Sequence, residues 1–410
     1  ITAPHFVMMV KDILSEKYGE NEVERGGLKI YTTIDWNKQK IAEEVIKEKT
    51  ENYEDKYNAN NAALVAIDPK TGQVLSLVGS RDYFNDEIDG QVNVADRPRQ
   101  PGSSMKPIVY AALFERGYTP NTKLYDVVTN FSTDNGAPYT PHNYNGKEYG
   151  PVSIRQALSG SLNIPAVKAI YLAGIDKVLN LADNLGYTTL TDRSRYGLSL
   201  VLGGGEVKMI EHINAYSVFA REGKINKLSL ILKIEDKDGK VLEEYKNQES
   251  RVITTKTAQM INSILTDNEA RAFIFGAKNW LTLNDRVVAA KTGTTNDYKD
   301  AWTIGYTPSL VAGVWVGNTD NSKMNSGADG SVVAAPIWNE FMRRALTGTP
   351  VESFNPWQEE ATGKAAIDGT IQFSKKIIIN KETKLPANSD TPDELKEEIE
   401  ILNHHTILYY

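Results

Sequence analysis

A chain of 410 residues, 40% hydrophobic and 24% charged, has the composition of a globular protein, which excludes a disordered chain and a membrane bundle. The net charge of −7 gives no support for a nucleic-acid partner, and no apolar run approaches the ~20 residues needed to cross a bilayer. The lack of cysteine removes thiol catalysis, disulfides and thiolate-bound zinc together.

The chain starts at Ile1 without Met or signal peptide and reads as an excised piece of a longer protein. Residues 3–18 carry Phe6, Val7, Val10, Ile13 and Leu14 at helical spacing, which predicts an amphipathic helix. Leu28 to Thr33 reads as a short strand, and Asp35 as the N-cap of a second helix bearing Ile41, Val45 and Ile46. The polar stretch 51–60 reads as a linker. Apolar runs at 62–67 and 74–79 flank Asp68-Pro69-Lys70-Thr71-Gly72, a β-hairpin signal. Gln100 to Pro107 reads as a tight turn feeding a helix that continues through Phe114 and stops near Gly117.

Residues 118–152, rich in Pro, Asn, Tyr, Thr and Gly, read as a long irregular stretch of the kind that often serves function. Helices are expected over 153–186, broken at Ser159 to Pro165, and over 209–222 and 256–265. Strand-like pieces at 228–235 and 240–246 flank Asp236-Lys237-Asp238-Gly239. Arg286 to Thr295 reads as one strand, and 301–306 with 310–317 as a hairpin. A helix near 335–346, a Pro- and charge-rich region at 347–371 and a strand at Lys376–Ile379 follow. The acidic run Glu394–Glu400 reads as a solvated helix face. Strands grouped at both ends of a mostly helical middle, with tight turns, predict an α+β domain with antiparallel pairing.

Three short motifs occur in order: Ser103-Ser104-Met105-Lys106 opening a helix, Ser161-Leu162-Asn163 in a break between helices, and Lys291-Thr292-Gly293 on a strand, followed by Thr294. Ser103 is the candidate nucleophile, since a hydroxyl needs an adjacent base. Lys106, three residues on, shares its helical face and can be that base if burial and nearby cations lower its pKa. Ser161 offers a hydroxyl to relay the proton to a leaving amine. Asn163 offers an amide to orient Lys106 or the substrate. Lys291 adds positive potential that favours a neutral Lys106 and attracts an anion. Gly293 lets substrate approach the strand edge. Thr292 and Thr294 share one face and can hold a carboxylate.

Other candidates are weaker. Lys70-Thr71-Gly72 repeats the third motif but reads as turn chemistry. His5, His142, His212, His404 and His405 are scattered, so no metal is expected. Gly203-Gly204-Gly205 lacks the spacing and Lys of a phosphate loop. His142 and Asn143 read as loop hydrogen-bonding residues, with substrate contact as the alternative. Trp302 fits a cleft wall and a core position equally.

At these residues the chain resembles the transpeptidase domain of class A penicillin-binding proteins of Gram-positive type. Longer stretches carry the resemblance: Arg99 to Ser103 with Lys106-Pro107, Asn143-Tyr144 with Ser161 to Val167, and Ala290 to Thr295 with Asp300-Ala301-Trp302 and Gly305 to Pro308. It covers residues 61–346 as the transpeptidase domain, with 1–60 as a linker region and 347–410 as a C-terminal tail. The resemblance implies an antiparallel five-stranded sheet flanked by helices with a helical subdomain. It implies D,D-transpeptidation of peptidoglycan stem peptides through a serine acyl-enzyme, with β-lactams as covalent inhibitors and no metal or cofactor. The oxyanion hole would be the backbone N–H groups of Ser103 and Thr294. Members of the family also carry a glycosyltransferase domain and an N-terminal membrane anchor, neither of which is in this sequence. The expected location is the extracytoplasmic face of the bacterial membrane, with other cell-wall synthesis proteins as further partners. D,D-carboxypeptidase, serine β-lactamase and a non-turnover β-lactam sensor remain as rivals. The Glu222/Asn226 and Glu243/Asn247 spacings of a deacylating lactamase are read as chance.

Overall fold

A computed structural model describes residues 1–132, 138–371, 374–389 and 391–402. His404 and His405, and residues 133–137 of the long irregular stretch, lie outside the described residues.

The centre is a five-stranded antiparallel sheet of β1 (Asn61–Asp68), β2 (Gln73–Val78), β3 (Ala289–Thr294), β4 (Asp300–Tyr306) and β5 (Val311–Gly317), in the spatial order β3-β4-β5-β1-β2. The early hairpin and the late strands meet where β5 pairs with β1, Val311 opposite Ile67 through Gly317 opposite Asn61. Both faces are covered, which is why these strands read as continuous apolar runs. Successive residues alternate between two cores. Ala63, Val65 and Ile67 face one, and Ala62, Leu64 and Ala66 the other.

The helices include α1 (Pro4–Tyr18), α2 (Trp36–Thr50), α3 (Lys106–Phe114), α4 (Ile154–Ser159), α5 (Asn163–Ala173), α6 (Ile175–Leu185), α7 (Met209–Ala220), α8 (Thr255–Leu265), α9 (Asn268–Phe275) and α10 (Ala335–Ala345). On one face of the sheet, α2 and α10 bury Ala42, Val45, Ile46, Trp338 and Phe341. On the other, α3, α5, α7 and α8 form the larger core. All nine residues of α3 are buried, as expected for a helix apolar on every side. Each fully buried Leu, Ile, Val or Phe there contributes roughly 1.5–3 kcal/mol. Among the described residues no helix is long and apolar enough to cross a membrane.

Several expectations change in detail. Phe6, Val10 and Leu14 of α1 are buried, but Val7 and Ile13 are exposed, so the apolar stripe is narrower. The stretch 51–60 contains a short helix, Tyr53–Tyr57. Residues 1–60 pack on both cores, and their strand Lys29–Thr32 pairs with Ile231–Glu235. The acidic run is a strand, Lys396–Leu402, paired with Ser374–Asn380. Glu398, Ile399, Glu400 and Ile401 alternate with period two, a strand signal that outweighed charge density. The strand expected over Arg286 to Thr295 is shorter and begins at Ala289.

Candidate active site

The Ser103 segment is a 3₁₀ turn, Gly102–Met105, running straight into α3. Three glycines from distant segments make this turn fit. Gly102 has φ +56°, and a Cβ on it would lie 2.5 Å from Thr294 O of β3. A Cβ on Gly203 would overlap the Gly102 backbone, and one on Gly293 would overlap Pro101 O. The space a side chain at Gly293 would occupy is thus filled by the turn itself. Gly203, set aside above as a phosphate loop, is a buttress of the turn.

The Ser161 segment explains itself through backbone hydrogen bonds. Helix α4 ends as Leu162 N–H donates to Ala157 O at 2.9 Å and Ser161 N–H to Leu158 O at 3.1 Å. This C-terminal motif needs a left-handed residue, ordinarily glycine. Ser161 takes it, with φ +56°. The strain, of order 1–3 kcal/mol, places a hydroxyl where glycine would leave none.

That hydroxyl lies between two amines. Lys291 Nζ donates to Ser161 Oγ at 2.7 Å and to Thr292 O at 2.9 Å. Lys106 Nζ donates to Ser161 O at 2.6 Å, Asn163 Oδ1 at 2.8 Å and, more weakly, Ser161 Oγ at 3.4 Å. Lys106 is fully buried and Lys291 is 3% exposed. Burial is the main cause that holds Lys106 well below the usual lysine range, and the Lys291 charge adds to it. Burial, helped by the Arg271 guanidinium, brings Lys291 down to about 7.

Five expected residues therefore converge: Lys106, Ser161, Asn163 and Lys291 by direct hydrogen bonds, and Ser103 through its turn. One expected contact is not formed. Among the described residues, nothing hydrogen-bonds Ser103 Oγ, and Lys106 Nζ turns to Ser161 and Asn163 instead. Thr294 Oγ1 accepts from Gly330 N–H at 3.1 Å, which leaves its own proton for a ligand. Thr292 is buried beside it.

Residues not foreseen support the constellation. Asp126, fully buried, accepts two hydrogen bonds from Asn143 Nδ2 at 2.8 and 2.9 Å. Asn143 Oδ1 in turn accepts Asn163 N–H at 2.7 Å, satisfying an unpaired donor at the start of α5. Asn163 Nδ2 donates to His142 O at 2.9 Å, so its Oδ1 is aimed at Lys106. The Asn143 hydrogen bond expected of a loop is real, and the cleft depends on it. Trp302 is a core residue: it is fully buried and its Nε1 donates to Gln100 O at 2.8 Å. Tyr144, next to Asn143, and Tyr298, in the turn after β3, meet through their hydroxyls, 2.8 Å apart. Among the described residues, no group of three or more His, Asp or Glu comes together that could hold a metal ion.

The family model of the penicillin binding protein transpeptidase domain matches residues 62–343. The chain belongs to this family. Among relatives, penicillin-binding protein 2D of Bacillus subtilis (strain 168) is 37% identical over 368 residues, covering 86% of this chain and 50% of that protein. Penicillin-binding protein 1A of Aquifex aeolicus (strain VF5) is 34% identical, covering 71% of this chain and 39% of that protein. The chain spans half or less of the length of these penicillin-binding proteins. The structure of PonA1 from Mycobacterium tuberculosis in complex with penicillin V superposes with a TM-score of 0.74 at 27% identity, covering 87% of this chain and 96% of that one. Penicillin-binding protein 1A from Haemophilus influenzae, at 21% identity and a TM-score of 0.75, covers 96% of this chain and 75% of that one and shows the same fold.

Proposed function

We propose that the chain is a serine D,D-transpeptidase that cross-links peptidoglycan stem peptides. The observation that carries this reading is the Ser161 hydroxyl held between two buried lysines beside the nucleophile turn. Ser103 Oγ attacks the penultimate D-Ala carbonyl and gives its proton to neutral Lys106. This step requires Lys106 Nζ to swing from Ser161 toward Ser103, a tightening that ligand-free sites commonly need. The oxyanion is met by the N–H groups of Ser103 and Thr294. The C–N bond breaks, and the proton passes from Lys106 through Ser161 to the departing D-Ala amine. An acceptor amine then attacks the ester and gives a proton to Lys106, which passes it to Ser103 Oγ as the ester C–O bond breaks, so the Ser103 hydroxyl and neutral Lys106 are both restored. Asn163 orients Lys106, and Thr292, Thr294 and the open edge of β3 at Gly293 hold the substrate's carboxylate and backbone. A β-lactam presents a strained amide to the same serine.

The lactamase rival loses its base. Glu222 is engaged by Asn355 and Gln259, and Glu243 by Lys17 and Tyr18, and neither touches the constellation. On this reading residues 61–346 are the catalytic unit of a Gram-positive type class A protein. It works outside the membrane, where further cell-wall synthesis proteins are its partners. The test is a stem peptide ending in D-Ala-D-Ala with an amine acceptor, followed by mass spectrometry. A cross-linked product is expected. Hydrolysis alone would make it a carboxypeptidase, and a stable penicillin adduct without peptide turnover would make it a sensor.

A further inference from the structure

Beneath the nucleophile turn runs a buried chain of polar side chains that the acyl-transfer steps above do not use. Ser104 is fully buried, with Oγ 2.6 Å from Pro101 O and 2.8 Å from His212 Nε2. A carbonyl only accepts, so the single Ser104 hydroxyl proton goes to Pro101. Toward His212 that oxygen can then only accept, which puts the ring proton on Nε2. His212 Nδ1 lies 2.6 Å from the Tyr187 hydroxyl and, in the neutral ring, accepts from it. Each hydrogen in the chain Tyr187, His212, Ser104, Pro101 therefore has one direction.

His212 sits fully buried on α7, edge-on to Tyr216 at 5.5 Å and Trp302 at 6.0 Å. Both of those rings also grip the turn. The Tyr216 hydroxyl donates to Ser104 O at 2.5 Å, and Trp302 Nε1 donates to Gln100 O. The carbonyls of Gln100, Pro101 and Ser104 are thus each held from below, with the Ser103 N–H between them. A leucine would fill the same space without burying two ring nitrogens, so what histidine adds is its donor and acceptor.

We propose that His212 is a positioning residue for acyl transfer: through Ser104 it fixes the Pro101 carbonyl, and with it the orientation of the Ser103 hydroxyl and N–H. The proposal rests on the acyl-serine reading above. Misplacing a nucleophile and an oxyanion donor by a fraction of an ångström slows chemistry far more than it weakens binding.

The experiment measures benzylpenicillin acylation by stopped-flow, separating non-covalent binding from the acylation rate constant. His212→Leu should lower the rate constant about 10- to 100-fold with binding unchanged. His212→Gln, which keeps an N–H donor for Ser104, should recover most of it. Ser104→Ala and the His212→Leu/Ser104→Ala pair should be equally slow, because both break one path. Additive losses, or a His212→Gln variant as slow as His212→Leu, would overturn the proposal in favour of packing alone. Wild-type protein that takes no penicillin would sink the acyl-serine reading instead. Imidazole ¹⁵N shifts still judge His212 in that case: an Nε2–H, Nδ1-bare ring that persists at pH 5 is expected, and an Nδ1–H ring refutes the proposal.

Discussion

The same tripeptide, Lys-Thr-Gly, occurs twice in this chain and does two different jobs. Lys70-Thr71-Gly72 closes the hairpin between β1 and β2, where Lys70 is exposed and pairs with Glu352, and Gly72 is present for its φ of +73°. Lys291-Thr292-Gly293 lies inside β3, where Lys291 is buried against Ser161. Gly293 is extended there, and is required because Pro101 and Ser104 leave no room for a Cβ. Residue type sets what a side chain can do, and burial with its partners sets what it does. A solvated lysine is a surface ion, while burial, helped by the Arg271 guanidinium, brings Lys291 down to about 7.

Matched substitutions at the two copies break or sharpen this contrast. The largest difference should come from the lysines. Lys291→Ala should cut penicillin acylation by about 10²-fold or more. Lys70→Ala loses an exposed ion pair worth at most about 1 kcal/mol and should acylate at the wild-type rate. Equal losses in a stopped-flow assay would erase the distinction. Next come the glycines. Gly293→Ala and Gly72→Ala should each cost about 1–3 kcal/mol in chemical denaturation, since each added Cβ meets backbone. Only Gly293→Ala should also slow acylation, because only its Cβ pushes on the Gly102–Met105 turn. Thr292→Val should weaken capture of carboxylate-bearing ligands about 3- to 10-fold, and Thr71→Val should do nothing.

A last effect, of a different kind, is in stability against pH. Lys291 is lowered from 10.5 to about 7, so between those values the unfolded chain binds the extra proton and folding stability rises with pH. Below about 7 the cost of charging the buried amine is fully present. Wild-type melting temperature should therefore climb from pH 7 to 9 relative to Lys291→Met, while Lys70→Met tracks wild type. A Lys291→Met profile parallel to wild type would mean that Lys291 titrates as an exposed lysine.

Much of the sheet was legible in the sequence, because turn residues and apolar runs coincide at Asp68 to Gly72 and at Thr307-Pro308-Ser309. The motif residues were legible as types and spacings, and the two lysines do meet at Ser161. What the sequence hid is long-range packing. Nothing local says that Gly203 stacks on Gly102, that Asp126 steadies Asn163 through Asn143, or that Trp302 is a brace and not a wall. The Ser103 to Lys106 spacing suggested a direct contact, but a 3₁₀ turn and the competing acceptors of Ser161 and Asn163 draw the amine elsewhere. Left-handed Ser161 marks a site where a local rule is broken for a hydroxyl.

The central claim, that Ser103 is the acylated nucleophile, is tested most directly by intact-mass spectrometry and peptide mapping after incubation with benzylpenicillin. The account predicts one long-lived adduct on the peptide containing Ser103, absent from a folded Ser103→Ala variant. An adduct that survives in Ser103→Ala, or maps to another residue, would contradict it.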